Sequence, residues 1–389
     1  MRQIQTGLES FIASPPRWLT GQRLGILCNH ASVNSEFRHV RMLINDVFPH
    51  QVKALFSPQH GFFSEKQDNM VESADTADPV LQIPVYSLYG ATRIPEPHLF
   101  ETLDTLIVDL QDVGTRVYTY ATTLSYCLET AKSQGKRVVV LDRPNPLGGN
   151  AVEGNCLSAD CVSFVGRYPI PMRHGMTVGE LALLMNRHFG IGCHLHVVKM
   201  KGWRRRMYFP DTGLPWIAPS PNLPTFQSAM VYPGQVLWEG TNVSEGRGTT
   251  QPFECFGAPY LQTGVLQQAV KNVPGIVLRE IAFEPTSNKW AGALCNGFQI
   301  HVTAPHSYKP YETSLEILRA VLKFHQGDFQ WKAPPYEYEY EKLPIDLITG
   351  DTNIRQRLEH QEMLADIIAS WQKNLREFKS LRREFYLYD

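Results

Sequence analysis

TLIVDLQDVGTRVYTYATTLSYCLETAKSQGKRVVVL, residues 105–141, decides the fold. Its two ends, Thr105 to Leu110 and Lys136 to Leu141, are short apolar runs of the kind that suits strands buried on both faces of a parallel sheet. Between them, Thr115 to Gln134 is long enough for a helix and carries Val117, Ala121, Leu124 and Leu128 at three- and four-residue spacing. Gly135 supplies the stop. Upstream, Leu24 to Cys28, Val52 to Phe56 and Ile83 to Leu88 are further apolar runs ending in polar, Gly or Pro residues. Downstream, Thr177 with Glu180 three residues on has the form of a capping box, opening a helix that runs to Phe189 before Gly190. His194 to Met200 follows as another strand. This alternation predicts a doubly wound α/β domain with a mainly parallel sheet, whose ligands bind beyond the carboxyl ends of the strands.

The pattern changes near Gln251. Gly297 to Thr303 reads as a strand, Tyr311 to His325 as a helix and Gln361 to Tyr386 as a long amphipathic helix. A chain of 389 residues is long enough for two domains. We expect residues 1–250 to form the larger one and 251–389 a smaller α+β domain walling part of the cleft, with Pro334-Pro335 and YEYEYEK as a loop.

Composition narrows the partners. Lys plus Arg number 37 against 38 for Asp plus Glu, so no net field recruits nucleic acid or an anionic membrane. The local basic run KMKGWRRRM, from Lys199, is expected to be a solvated segment after a strand. No apolar run is long enough to span a bilayer. No basic segment followed by an apolar stretch opens the chain, which points to the cytoplasm for the sequence as it stands, with export of a longer precursor left open. Seven Cys without CxxC or Cys/His spacing read as reduced thiols, and the thirteen His fall into no metal-ligand pattern. Oligomeric state is not legible.

Polar motifs crowd the strand ends: Asn29-His30-Ala31-Ser32, SPQHGFFSEKQDN, QDVGTRVYTY and DRPNPLGGNAVEG. The loop WEGTNVSEGRGTTQPFE, Trp238 to Glu254, sets Glu239 and Glu245 amid Gly, Thr and Asn, with Arg247, Thr249 and Thr250 able to grip a hydroxylated ligand. A hairpin turn with exposed acids is the plainer alternative. No GxGxxG follows a strand, and GxxxxGK[ST], HExxH and GxSxG are absent, which argues against a dinucleotide enzyme, a nucleoside triphosphatase, a zincin and an α/β-hydrolase. Paired carboxylates remain, and these suit glycosidic hydrolysis. Glu153, Glu239 and Glu245 are the candidate acids, with burial near Trp238 expected to raise the pKa of Glu239.

In order, GILCNHASV, LFSPQHGF, PVYSLYG, QDVGTRVYTY, LDRPNPLGG with VEG, SFVGRYPIPMRHGMTVGELA, PSPNLPT, WEGTNVSEGRGTTQPFE and the C-terminal YLYD cover nearly the whole chain. The series resembles the NamZ (YbbC-like) family of exo-β-N-acetylmuramidases. That resemblance implies a Rossmann-like catalytic domain with a smaller C-terminal domain and no nucleotide cofactor. The activity it implies is release of terminal N-acetylmuramic acid from non-reducing ends of peptidoglycan fragments. It further implies sugar or lactyl-carboxylate contacts from Asn29, His60, Asp112, Arg116, Tyr118, Arg143, Asn145, Arg173, His174, Asn242 and Arg247. Loop-fixing and strand capping are the plainer roles for such residues, Asp142 and Arg143 above all.

One position departs from the family. Its Pro-Glu-His-Gly motif, whose glutamate is the expected catalytic residue, is Pro58-Gln59-His60-Gly61 here. An amide is neither a carboxylic acid nor a base. Three expectations stand: another carboxyl has the role, the protein binds muropeptide sugars with reduced turnover, or it hydrolyses a different glycoside. Glu65 and Asp68 lie close downstream, where a polar loop is the simpler reading.

Overall fold

The structure, a computed structural model, describes residues 4–67, 70–90, 92–271 and 273–389. Twelve strands among them are β1 (Leu24–Cys28), β2 (Val52–Ser57), β3 (Thr76–Ala77), β4 (Pro84–Ser87), β5 (Thr105–Asp109), β6 (Arg137–Leu141), β7 (Glu153–Cys156), β8 (Pro171–Arg173), β9 (His194–Val198), β10 (Cys255–Ala258), β11 (Ile276–Phe283) and β12 (Cys295–Val302). Seven form one sheet in the order β3-β4-β2-β1-β5-β6-β9, and every pair in it is parallel except β3 with β4 at one edge.

Side-chain alternation along these strands divides the core in two. Leu24, Ile26, Leu55, Ile107, Val139 and Leu141 pack toward helices Gly7–Ala13 and Val40–Val47, meeting Leu8, Phe11, Leu43 and Ile44. Leu27, Phe56, Leu106, Val108, Val138 and Val140 face the other way, against helices Tyr120–Ser133 and Val178–Leu183. Helices therefore cover both faces, as the unbroken apolar runs require. The doubly wound expectation holds. Strand order reverses between β1 and β5, which makes the carboxyl ends beside them the switch point where ligands bind in such sheets.

The helix expected from Thr115 starts at Tyr120. Residues 115–119 are diverted because Thr115 bridges to Arg173 and the Arg116 N–H donates to the Met172 carbonyl, tying the segment to the β7-β8 hairpin. The stop is as read, with Gly135 at φ 63°. Thr177 and Glu180 form the capping box. The basic run is not solvated throughout: Trp203 and Arg205 are buried, with the Arg205 guanidinium on Glu180 at 2.6 Å.

The chain's last third holds the antiparallel sheet β10-β12-β11 and helices Pro310–Phe324 and Leu364–Leu381. One apolar cluster runs from Leu124 and Met176 through Trp238 and Phe256 to Leu318 and Trp371, so the two halves are packed together. No helix among the described residues is long and apolar enough to cross a membrane. All seven Cys are free thiols.

Candidate active site

A narrow pocket opens at the carboxyl ends of β2 and β5. Gln59 and His60 reach it from the end of β2, and Tyr118 and Thr119 from the turn before helix Tyr120–Ser133. The opposite wall is Tyr232, Glu239, Arg247 and Phe253, and Tyr336 and Glu337 close it. Both halves of the chain contribute.

The loop from Trp238 to Glu254 is held inward. Trp238 is fully buried, its ring stacked on Phe256 with centroids 5.1 Å apart. Gly246 and Gly248 have φ of 79° and 78°, and a Cβ at either would stand within 2.6 Å of Cys255 Sγ or of the Ser287 carbonyl oxygen. This lets the loop cross so close to its neighbours. Its acids are not exposed turn residues. Glu239 accepts from Arg247 at 2.7 Å and from the Tyr336 hydroxyl at 2.7 Å. Glu245 lies 3.1 Å from Arg247 and 2.6 Å from Lys289.

Burial presses the pKa of Glu239 upward, as the Trp238 argument expects, but the adjacent Arg247 charge and hydrogen bond outweigh it. The result is a carboxyl below its ordinary range. Glu239 is an anion, which corrects the expectation of a raised acid. The His60 Nδ1–H donates to the Lys66 carbonyl, 3.0 Å away, and burial lowers its pKa to about 4, leaving it neutral.

Glu337 behaves in the opposite sense. It is 4 % exposed, takes an N–H from the Gln59 amide at 2.9 Å and an O–H from Tyr89 at 2.6 Å. Burial raises its pKa, with the Glu239 charge adding to the rise, and the two neutral donors and the Arg93 charge only partly offset it. Gln59 is fixed between this carboxyl and the Thr119 hydroxyl, which donates to its Oε1 at 2.7 Å.

The other sequence candidates lie elsewhere. Glu153 is buried in β7 and accepts the Glu312 N–H, 2.8 Å away, in the first turn of helix Pro310–Phe324. Arg116 donates to four carbonyls, those of Asn155, Ile170, Ile348 and Thr349. Arg143 grips Asp109 with two nitrogens, at 2.5 and 2.7 Å. Asn29 bonds Tyr120 and the Pro219 carbonyl, and Asn145 the Met176 carbonyl. The Asp112 carboxylate accepts the Gly114 N–H and stands 3.5 Å from His174. Arg173 donates to the Leu147 carbonyl, and Thr249 to that of Gly246. Asn242 lines a separate open groove with Trp290 and Trp331. Glu65 is exposed and accepts the Phe63 N–H, while Asp68 lies outside the described residues. Among the described residues, no cluster of three or more His, Cys, Asp or Glu is set to hold a metal ion.

Sequence reasoning missed Tyr336 and Glu337. The signal available was the YEYEYEK run itself, in which acids alternate with aromatics, and the structure buries its first pair, Tyr336 and Glu337.

Two family models cover the chain: "Exo-beta-N-acetylmuramidase NamZ, N-terminal" matches residues 24–227 and its C-terminal counterpart matches 230–388. The peptidoglycan β-N-acetylmuramidase NamZ of Bacillus subtilis (strain 168) is 40% identical over 388 residues, 99% of this chain and 92% of that protein. Two crystal structures of DUF1343 family proteins from Bacteroides fragilis NCTC 9343 share the fold. One superposes with a TM-score of 0.89 at 31% identity and the other with 0.76 at 29%, each over 100% of this chain and 99% of its own.

Proposed function

The chain belongs to the NamZ family of exo-β-N-acetylmuramidases, and from that premise we propose that it is a glycosidase releasing terminal N-acetylmuramic acid from the non-reducing ends of peptidoglycan fragments. The observation that carries this reading is the pair of buried carboxyls, Glu239 and Glu337, lining one pocket at the switch point of the sheet. Cleaving a glycosidic bond needs a proton for the leaving oxygen and negative charge near the oxocarbenium-like centre. Glu239, held anionic by Arg247, supplies the second of these. Tyr118 and Tyr232, edge to face with centroids 6.1 Å apart, give the pocket apolar faces for a sugar ring.

A second reading is favoured by Gln59: a pocket of this shape whose amide holds muropeptide sugars without turning them over. The assay that separates the two measures sugar release from 4-nitrophenyl N-acetylmuramide and from short peptidoglycan fragments, beside binding of the same fragments by calorimetry. Turnover supports the glycosidase, and binding without turnover selects the lectin-like protein. Neither turnover nor binding of muramic-acid fragments would refute both.

A further inference from the structure

We propose that Glu337 is the proton donor for glycosidic cleavage, doing from the C-terminal half what the amide of Gln59 is unable to do. The inference rests on the glycosidase reading above and adds the identity of the acid.

Three observations support it. Of the two carboxyls lining the pocket, Glu239 is tied to a guanidinium, whereas the hydrogen bonds to the Glu337 carboxyl come from neutral groups, the Gln59 amide and the Tyr89 phenol. A carboxyl that faces neutral donors in a buried site keeps its proton more readily than one facing a cation, and two acids with environments pushed apart are how a single pocket separates acid from anion. The direction of both pKa shifts agrees.

The donors also fix orientation. The Thr119 hydroxyl donates to the Gln59 oxygen, so the Gln59 nitrogen is the end that faces Glu337. Each Glu337 oxygen receives one donor and retains a second lone-pair site, where the acidic proton resides. Gln59 is a positioning residue in this arrangement.

The backbone is bent to aim the group. Glu337 and Tyr338 are consecutive non-glycine residues with φ of 47° and 68°. L side chains rarely adopt such angles, and surrounding contacts must hold them. Those contacts are present: the Tyr338 hydroxyl donates to Glu72 at 2.9 Å, Arg93 lies over the Tyr338 ring, and the Glu337 N–H meets Met70 Sδ.

The step balances without a co-reactant other than water. The Glu337 carboxyl gives its proton to the glycosidic oxygen as the bond from that oxygen to the anomeric carbon breaks. The bond's electron pair leaves on the oxygen, which departs as an alcohol. The Glu239 carboxylate offsets the positive charge at the anomeric carbon. Water then forms the new bond to that carbon and returns a proton to the Glu337 carboxylate.

The test compares wild type with Glu337→Gln on two substrates that differ in how much the leaving group needs a proton. On a disaccharide with an N-acetylmuramic acid terminus, kcat/KM is expected to fall by about 10³-fold, in the usual range for loss of a general acid. On 4-nitrophenyl N-acetylmuramide, whose leaving group departs unassisted, the fall is under about tenfold, and the alkaline limb of the pH profile disappears. Equal losses on both substrates, or none, overturn the assignment. Tyr89→Phe keeps the acid but removes a donor that favours its anion, so the alkaline limb moves to higher pH; an unmoved limb counts against Glu337. Infrared difference spectra supply a readout independent of turnover: a protonated carboxyl band at neutral pH, present in wild type and lost in Glu337→Gln. Without that band Glu337 is not the acid. With the band but no wild-type turnover on any muramide, Glu337 holds its proton and the glycosidase reading is what fails.

Discussion

Glu153 offers a clean separation of catalytic from structural carboxyls. Burial pushes its pKa up to about 7, against the Glu312 N–H and the Arg173 charge, which pull it down, while the Glu312 carboxylate and Lys309 act in opposite senses. Below about pH 4.5 the folded and unfolded chains both carry the proton, and the group is neutral in its effect. Between about 4.5 and 7 the unfolded chain releases a proton that the folded chain retains, so stability falls as pH rises. Above 7 the full penalty applies. A rise from 4.5 to about 7 amounts to about 3 kcal/mol at 1.36 kcal/mol per pH unit. With an unfolding entropy near 2.1 cal/mol/K per residue over 389 residues, this is about 4 °C in Tm. Glu153→Gln keeps an oxygen for the Glu312 N–H and never ionises. The variant is expected to melt with wild type at pH 4 and about 4 °C above it at pH 8, with sugar release unchanged. Asp142, also raised to about 7, is common to both proteins and cancels in the difference. Scanning calorimetry from pH 4 to 8 measures it. A difference that is flat with pH would show that Glu153 is not held neutral, and loss of turnover would return Glu153 to the active site.

Arg116→Met removes one cation from four buried carbonyls and is expected to cost about 4 kcal/mol or more, some 5 °C in Tm, while KM for 4-nitrophenyl N-acetylmuramide stays within about twofold; a larger KM effect without destabilisation would make Arg116 a sugar contact. His60, lowered to about 4, is neutral from pH 5 upward, so His60→Asn leaves the shape of the kcat/KM profile between pH 5 and 8 unchanged even where it lowers the rate; a limb near pH 6 that vanishes in the variant would contradict this. Gln59→Glu sets a second carboxyl at the 2.9 Å contact with Glu337, where like charges resist joint ionisation, so the alkaline limb of activity is expected to move up by about one pH unit or more. An unchanged limb would mean that the two side chains do not share the site.

How much of this was legible depended on whether a residue's partner lay near it in sequence. The strands of the parallel sheet announced themselves because both faces are covered, and the Thr177-Glu180 box because a cap is a local device. β11 was not recognised: IVLREIAF is half exposed, and its pairing to β12 sets its conformation. The polar strand ends were recognised as a group but not sorted. Arg116, Arg143 and Asn145 look like Tyr118 or Arg247 in sequence, yet their hydrogen bonds go to buried backbone or to Asp109, because buried loops must satisfy their own polar groups. Glu337 was hidden for the same reason in reverse: its partner Gln59 is 278 positions away.

That separation bears on why an amide can stand at position 59. A carboxylate there would face Glu337 at hydrogen-bond distance, with Glu239 adding its charge across the same pocket. Three acids and one guanidinium would then compete in a buried space, and at least one would have to stay protonated. With Gln59 the competition is settled by identity: the amide donates from nitrogen, accepts from Thr119 with oxygen, and is neutral at every pH. Arg247 lowers the pKa of one remaining carboxyl, and burial raises that of the other. An amide at position 59 is therefore compatible with the acid role proposed for Glu337, because it orients that carboxyl from the N-terminal wall without competing for its proton.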